Sequence, residues 1–279
     1  MNPLKNLIYL SLTLLIISCG NGDGPIVSPN KPLVFETNEI PDTITSDSNI
    51  TAILKDTADT NGWKRIRQID VKERLTVFGQ ENKETRFKIT TTYGVIKVKL
   101  YKSTPLHRAN MILMIKQGLF NNTRFYRISQ NFIIQAGFTD GPGAYERMRT
   151  IGQYKVPAEV NADKLPHVRG AFAMAGADLH PGKPRKKDSN PFTFYIVDGA
   201  IQSEASLGGI EETYGITISE SNKKKYMDKG GAPHLDDQYT VCGEVYSGMS
   251  VVEKISKVKT NSSDHPEERI YLTIDLIEN

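Results

Sequence analysis

One arginine stands out among the residues able to do chemistry. Arg127 lies in the run Arg124-Phe125-Tyr126-Arg127-Ile128-Ser129-Gln130-Asn131-Phe132-Ile133-Ile134-Gln135, with Phe125 two residues before it, Phe132 five after it and Gln135 eight after it. A guanidinium is a permanent cation with a planar fork of donors. Held among apolar neighbours, it can stabilise a lone pair or a carbonyl oxygen without titrating. Singly, these residues have ordinary explanations, since a strand arginine is usually a solvated edge charge and a phenylalanine usually core. Other chemistries find less support. The five histidines (107, 167, 180, 234 and 265) have no metal-type spacing, so no metal is assigned. No glycine-rich phosphate loop precedes a helix, and no convincing triad or cofactor motif is present. No aromatic-interleaved basic stripe points to nucleic acid.

The elements that would position these residues are mostly strands. Ile96, Val98 and Leu100 alternate with Val95, Lys97 and Lys99, and Phe87, Ile89 and Thr91 precede them across Tyr93-Gly94, which predicts a hairpin. Ser103-Thr104-Pro105 opens a helix carrying Ala109, Ile112, Leu113 and Lys116 on one face, and Gly118 ends it. Short apolar strands are predicted at 124–129, 132–137, 168–175, 192–197 and 240–246, a helix at 249–257, and a last alternating strand at Ile270, Leu272, Ile274 and Leu276. Many strands with two helices and long loops suggest an antiparallel barrel or sandwich with flanking helices. The 279 residues, 38% hydrophobic and 24% charged, can bury a sizeable core, and a net charge of +3 favours neither nucleic acid nor a polybasic membrane surface.

The run around Arg127 resembles the signature of the cyclophilin-type peptidyl-prolyl isomerases: phenylalanine, any residue, arginine, then phenylalanine five and glutamine eight residues after the arginine. Arg86–Gly118 resembles the family's opening hairpin and first helix. Gly170-Ala171-Phe172-Ala173-Met174-Ala175 resembles its substrate-contacting strand and Phe194-Tyr195-Ile196-Val197 its aromatic strand. His234-Leu235-Asp236 with Val241-Cys242-Gly243-Glu244-Val245 resembles its final loop and strand, and Gly248-Met249-Ser250-Val251-Val252 its last helix. The order holds from about 86 to 277. The resemblance implies a mainly β fold, a closed antiparallel β-barrel with two flanking α-helices, filling residues 86–279. It implies catalysis of X-Pro isomerisation by Arg127, Phe132 and Gln135, with Gln135 holding the guanidinium. Ile133, Met174, Ala175, Thr193, Tyr195, His234, Leu235 and Tyr239 would bind substrate, Ala175 through its main chain. Partners would be proline-containing peptides and folding proteins, and binding of cyclosporin-like macrocycles stays open.

Four positions depart from the best-known members. Gly176 stands for an asparagine, Thr193 for a glutamine, His234 for a tryptophan and Tyr239 for a histidine. They bear on efficiency and preference, and they leave an alternative reading: a weakly catalytic or inactive cyclophilin-fold binding or chaperone module. Two loops are long, 176–191 with Arg185-Lys186-Lys187 and 200–232 with Lys223-Lys224-Lys225, the latter with a helical stretch ending at Gly230-Gly231. Such charge runs are usually solvated faces. The sharper expectation is that 200–232 roofs the cleft and contacts substrate flanks.

The front of the chain carries an address. Lys5 followed by uncharged, Leu- and Ile-rich residues 6–18 predicts a signal peptide too short for a bilayer span of about 20 residues. Ile16-Ile17-Ser18-Cys19-Gly20 resembles the lipobox of bacterial lipoproteins, which predicts lipidation of Cys19, anchorage at a membrane, and placement in the cell envelope at the periplasmic face of the outer membrane. Residues 19–60 read as a flexible acidic tether: positions 20–60 hold seven acids against two lysines. Residues 61–85, with Trp63 and a helix near Arg65–Leu75, read as a preamble to the domain. Cys242, in an apolar run, reads as a small core residue.

Overall fold

The computed structural model describes residues 65–137, 144–177 and 187–278. The signal-like segment 1–18, Cys19, the acidic tether 19–60, Trp63 and the Arg185-Lys186 pair lie outside the described residues. Eight antiparallel strands are described: β1 (Arg86–Thr91), β2 (Gly94–Leu100), β3 (Thr123–Ser129), β4 (Ile133–Gly137), β5 (Ala171–Gly176), β6 (Ser189–Val197), β7 (Val241–Ser247) and β8 (Ile270–Leu276). They close in the order β1-β2-β7-β5-β6-β4-β3-β8, so the expected barrel is present and no strand edge is left open. Six helices accompany them: α1 (Val71–Glu81), α2 (Pro105–Lys116), α3 (Ala144–Ile151), α4 (Glu204–Tyr214), α5 (Glu220–Lys229) and α6 (Met249–Ser256). The two predicted flanking helices are α2, which packs against β8 and β6, and α6, which packs against β2, β3 and β4.

Alternation along the strands decides what fills the barrel. Phe87 and Ile89 on β1, Ile96 and Val98 on β2, and Ile270, Leu272 and Ile274 on β8 turn inward. Phe87 meets Phe172 edge-on at 5.4 Å, and Phe172 lies 5.0 Å from Phe194. Cys242 is buried in the same core, where desolvation pushes its thiol pKa up, as the sequence suggested. The hairpin turns where expected: Gly94 has φ +129°, and a Cβ there would meet Val251 Cγ2 at 2.9 Å.

The start of α2 is capped differently from the sequence expectation. Thr104 occupies the N-cap and Pro105 the first turn, but the Thr104 side chain accepts no helix N–H. Instead the Glu159 carboxylate, far along the chain, accepts the N–H groups of Leu106 and His107 at 3.0 Å each. An anion serves the positive helix end better than a hydroxyl does.

The preamble is a correction in part. From Ile66 onward it belongs to the domain core, with Leu75 fully buried and Ile66 nearly so. Helix α1 packs on α2 so closely that a Cβ at Gly79 would sit 3.0 Å from Ala109 Cβ. Arg108 of α2 seals its end, donating to the carbonyls of Gly79 and Asn82 at 2.6 Å each and of Glu84 at 3.2 Å. The strand pattern that opens at Arg86 marks the domain start in sequence, and the contact of α1 with α2 is tertiary. Leu75→Ala should therefore cost about 2–5 kcal/mol of unfolding free energy, read from urea denaturation. A change below about 0.5 kcal/mol would return α1 to the status of an appendage.

The long segment after β6 folds as α4 and α5 around a small separate core of Leu207, Ile218 and Tyr226. Ser203 Oγ caps α4 by accepting the Ser206 N–H at 3.1 Å, and Gly215 (φ +62°) ends it in the left-handed region. Lys223 pairs with Glu211 and Glu220, and Lys225 donates to Asn222, so two of the three lysines are held locally, and of the three Lys224 is the exposed one.

Candidate active site

A register shift sets up the site. Between β3 and β4, Phe125 pairs with Ala136 but Arg127 pairs with Gln135, which leaves Tyr126 as the extra residue of a bulge. Phe125 and Ile128 can then both face the core while Arg127 faces outward. Register continues from Gln135 to Tyr195 on β6 and from Tyr195 to Ala173 on β5. Directly opposed residues share a sheet face, so Arg127, Gln135 and Tyr195 stand in one row on the outer barrel wall.

Phe132 closes the tight β3–β4 turn, where Asn131 takes φ +58° and the Phe132 N–H donates to Ser129 at 3.1 Å. The Arg127 guanidinium lies 6.0 Å from the Phe132 ring centroid. On the other side, the 3-10 turn Pro233–Leu235 brings His234 to 5.1 Å from Phe132, their planes 31° apart. Below them Tyr195 is buried, stacked on His167 at 6.0 Å and met edge-on by Tyr239 at 5.9 Å. Tyr239, expected to close the proline slot, lies against Tyr195 and His167. Leu235 is buried in the same turn, and Ile133 shares the outward face of β4 with Gln135. Thr193 pairs with Gly137 and is nearly buried. Ala175 falls at the shift between Met174 and Gly176 and has no register partner on β6 or β7, a placement that suits main-chain recognition.

Two expectations need correction. Met174 pairs with Phe194 and points into the barrel core, because on β5 it is Ala173 and Ala175 that share the outward parity. Gln135 does not hold the guanidinium: its Nε2 donates to the Tyr126 hydroxyl. Asp264 holds Arg127 instead, accepting from Nε at 3.4 Å and Nη2 at 3.3 Å. Asp264 sits at φ +63° in the loop before β8, and its own carbonyl accepts the Ile128 N–H at 2.8 Å. Nothing in the sequence marks it, since an aspartate in a polar turn has many ordinary uses.

A second group of residues underlies the floor. Tyr226 of α5 donates to Asp236 Oδ2 at 2.6 Å, and Asp236 Oδ1 accepts from the His167 N–H and from His167 Nδ1, both at 2.8 Å. His167 Nε2 lies 2.9 Å from the Tyr195 hydroxyl. With Nδ1 donating to the carboxylate, Nε2 of His167 accepts a hydrogen bond from the Tyr195 hydroxyl. Every member of this chain is satisfied. By contrast, Arg127 Nη1 and Gln135 Oε1 are buried without a partner. One donor and one acceptor, in adjacent register, are what a peptide group requires.

His107, Glu159 and Ser189 also deserve a test as chemistry, because His107 Nδ1 is 2.7 Å from Glu159 and Nε2 is 2.9 Å from Ser189 Oγ. Ser189 is 1% exposed and its main chain is bridged both ways to Val156. No substrate reaches that hydroxyl, and the cluster ties α2 to β6.

A model of the cyclophilin type peptidyl-prolyl cis-trans isomerase/CLD family matches residues 86–274. The chain belongs to this family. Relatives are 25–28% identical to it over the matched spans. A putative peptidyl-prolyl cis-trans isomerase of Staphylococcus saprophyticus is 28% identical over 197 residues, 70% of this chain and 91% of that one. Peptidyl-prolyl cis-trans isomerase-like 2 of Rhizopus delemar is 28% identical over 189 residues, 67% of this chain but 28% of that protein. A putative bifunctional phosphatase/peptidyl-prolyl cis-trans isomerase of Streptococcus pyogenes is 28% identical over 202 residues, 68% of this chain and 38% of its own length. The cyclophilin therefore spans well under half of the last two. Among solved structures, a Cryptosporidium parvum cyclophilin type peptidyl-prolyl cis-trans isomerase, crystallised in the presence of the dipeptide Ala-Pro, aligns with a TM-score of 0.47 at 20% identity, over 70% of this chain and 99% of that one.

Electrostatics give the cyclophilin wall a neutral histidine. Burial, then His167 nearby, push the His234 pKa down to about 4 against the opposing pull of Asp236. Burial also pushes Tyr126 up to about 12, so its hydroxyl stays protonated. The unfolded chain, with His234 near 6.5, binds more protons than the native state between about pH 4 and 6.5, so stability falls as pH drops through that window. His234→Phe should reduce the loss of unfolding free energy between pH 7.5 and pH 4 by as much as about 3 kcal/mol, measured by urea denaturation at each pH. Equal losses in the two proteins would show that His234 titrates as it does in water.

Proposed function

We propose that this chain accelerates cis/trans isomerisation of X-Pro bonds in folding proteins of the cell envelope. The uncatalysed rotation crosses a barrier of roughly 18–20 kcal/mol, set by amide resonance. Whatever favours the twisted amide over the planar one lowers it, tenfold for about 1.4 kcal/mol. In the twisted state the prolyl nitrogen becomes pyramidal and gains a lone pair. A guanidinium fixed beside an apolar slot meets that lone pair, or the adjacent carbonyl, with no proton transfer. The observation that carries the reading is the unpartnered pair, Arg127 Nη1 and Gln135 Oε1, set beside an aromatic slot of Phe132, His234 and Tyr195. Leaving each bare costs about 1–3 kcal/mol, which a bound peptide group would recover. Asp264 occupies the other edge of the guanidinium and fixes its plane.

The same proposal places the protein on a lipid anchor at Cys19, at the periplasmic face of the outer membrane. What supports this is Lys5, the apolar run 6–18 and Ile16-Ile17-Ser18-Cys19. No helix among the described residues is long and apolar enough to cross a membrane.

Two experiments test the halves separately. With an X-Pro peptide followed by exchange NMR, the parent should accelerate isomerisation and a folded Arg127→Ala should lose about a hundredfold. A well-folded parent that competes for peptide without speeding exchange would favour the binding-module reading. For the anchor, the full chain made in a bacterial host should gain acyl mass at Cys19 and sediment with outer membranes, whereas Cys19→Ala should carry no lipid. Release of an unlipidated parent into the periplasm would refute the anchorage.

A further inference from the structure

The insertion between β6 and the Pro233–Leu235 turn reaches the site at two points. At its outer end, Tyr214, the last residue of α4, lies 5.5 Å from His234 with the planes 33° apart. His234 in turn lies 5.1 Å from Phe132. Three aromatic rings therefore continue the slot sideways, and Tyr214, 43% exposed, is the one most open to solvent. At the insertion's base, Tyr226 is buried and bonded to Asp236, in the chain that ends on the Tyr195 floor.

The placement of Tyr214 is fixed by the fold. Helices α4 and α5 share the Leu207, Ile218 and Tyr226 core, and Glu211 Oε1 accepts the Ile218 N–H at 2.8 Å across the turn between them. Asn222 Nδ2 donates to the carbonyls of Ala162 at 3.0 Å and Asp163 at 3.2 Å. Gly231 allows the return: a Cβ there would meet His167 O at 2.5 Å and the Tyr226 ring at 2.6 Å. The backbone that carries Tyr214 is thus fixed, so little main-chain entropy is lost when a ligand meets the ring.

We infer that the insertion adds a subsite to the isomerase, centred on Tyr214, which takes an aromatic or bulky apolar side chain flanking the proline. Two ring spacings of 5.1 and 5.5 Å cover two to three residues of extended peptide at about 3.3 Å each, so the side chain belongs to a residue two or three positions from the proline. Aromatic partners gain beyond area burial when they stack on a ring that is already placed. The half-buried, neutral His234 beside Tyr214 adds no charge to repel such a group. The inference rests on the proposed X-Pro recognition and names its preferred substrate.

The test is affinity, read apart from turnover. A set of otherwise identical peptides around one Ala-Pro unit would carry Phe, Leu or Ala at each position two and three residues before or after the proline, with Kd from NMR titration. The parent should bind the best Phe peptide at least fivefold more tightly than the all-Ala peptide. Tyr214→Ala should reduce that ratio to within twofold, and Tyr214→Phe should keep it. A ratio unaltered in a folded Tyr214→Ala, or no Phe preference in the parent, overturns the subsite and leaves the isomerase proposal standing. A parent that binds none of the peptides overturns both.

Discussion

The wall of the barrel can present chemistry only if its inner and outer faces are kept apart, and the bulge at Tyr126 does this on β3. Without the extra residue, Phe125 and Arg127 would share a face, because side chains two apart on a regular strand point the same way. Either a cation would enter the core or Phe125 would leave it. Neither is tolerable, since an unpaired buried charge and a lost aromatic each cost several kcal/mol. The bulge resolves the conflict and also delivers the Tyr126 hydroxyl to Gln135. Barrel closure makes the solution rigid, because β4 is hydrogen-bonded to β3 on one side and β6 on the other.

Rigidity matters because the proposed chemistry has no moving proton. A guanidinium at a fixed place helps a twisted amide only if it does not relax toward the planar one. Asp264 on one edge and the Phe132 ring nearby restrict that relaxation and leave Nη1 free. The polar atoms under the slot are treated in the opposite way. Tyr226, Asp236, His167 and Tyr195 use their donors on one another, so the floor offers a proline ring an apolar surface without an idle donor. The floor is thus satisfied, whereas Arg127 Nη1 and Gln135 Oε1 above it are not.

The parts legible in sequence were those written in local period or local spacing. Strand alternation at Ile96, Val98 and Leu100, the Pro105 helix start and the Gly118 stop could be read because each depends on near neighbours. The Arg127, Phe132 and Gln135 spacing led to the family for the same reason. The remaining features depend on contacts across long stretches of chain. Asp264 meets Arg127 from 137 positions away, and Glu159 caps α2 from beyond 50. Met174 was misassigned because motif spacing says that a residue is near the site but not which way it faces. Helix α1 was undervalued because Leu75 and Gly79 acquire meaning only against Ala109 and Arg108.

The departures from the family pattern make physical sense together rather than singly. A histidine in the wall could have been a titrating group at neutral pH, but its place beside Phe132 and Tyr214 desolvates it in part and lowers its pKa. It then serves as a flat, neutral ring. Tyr239, edge-on to both Tyr195 and His167, fills the space at the slot floor while His167 Nε2 accepts a hydrogen bond from the Tyr195 hydroxyl. Both exchanges keep an aromatic ring in place. The insertion is what makes the exchange at His234 possible, because Tyr214 covers the histidine and Tyr226 secures the Asp236 that follows it. A shorter connection between β6 and the Pro233–Leu235 turn would leave His234 hydrated and the wall one ring shorter.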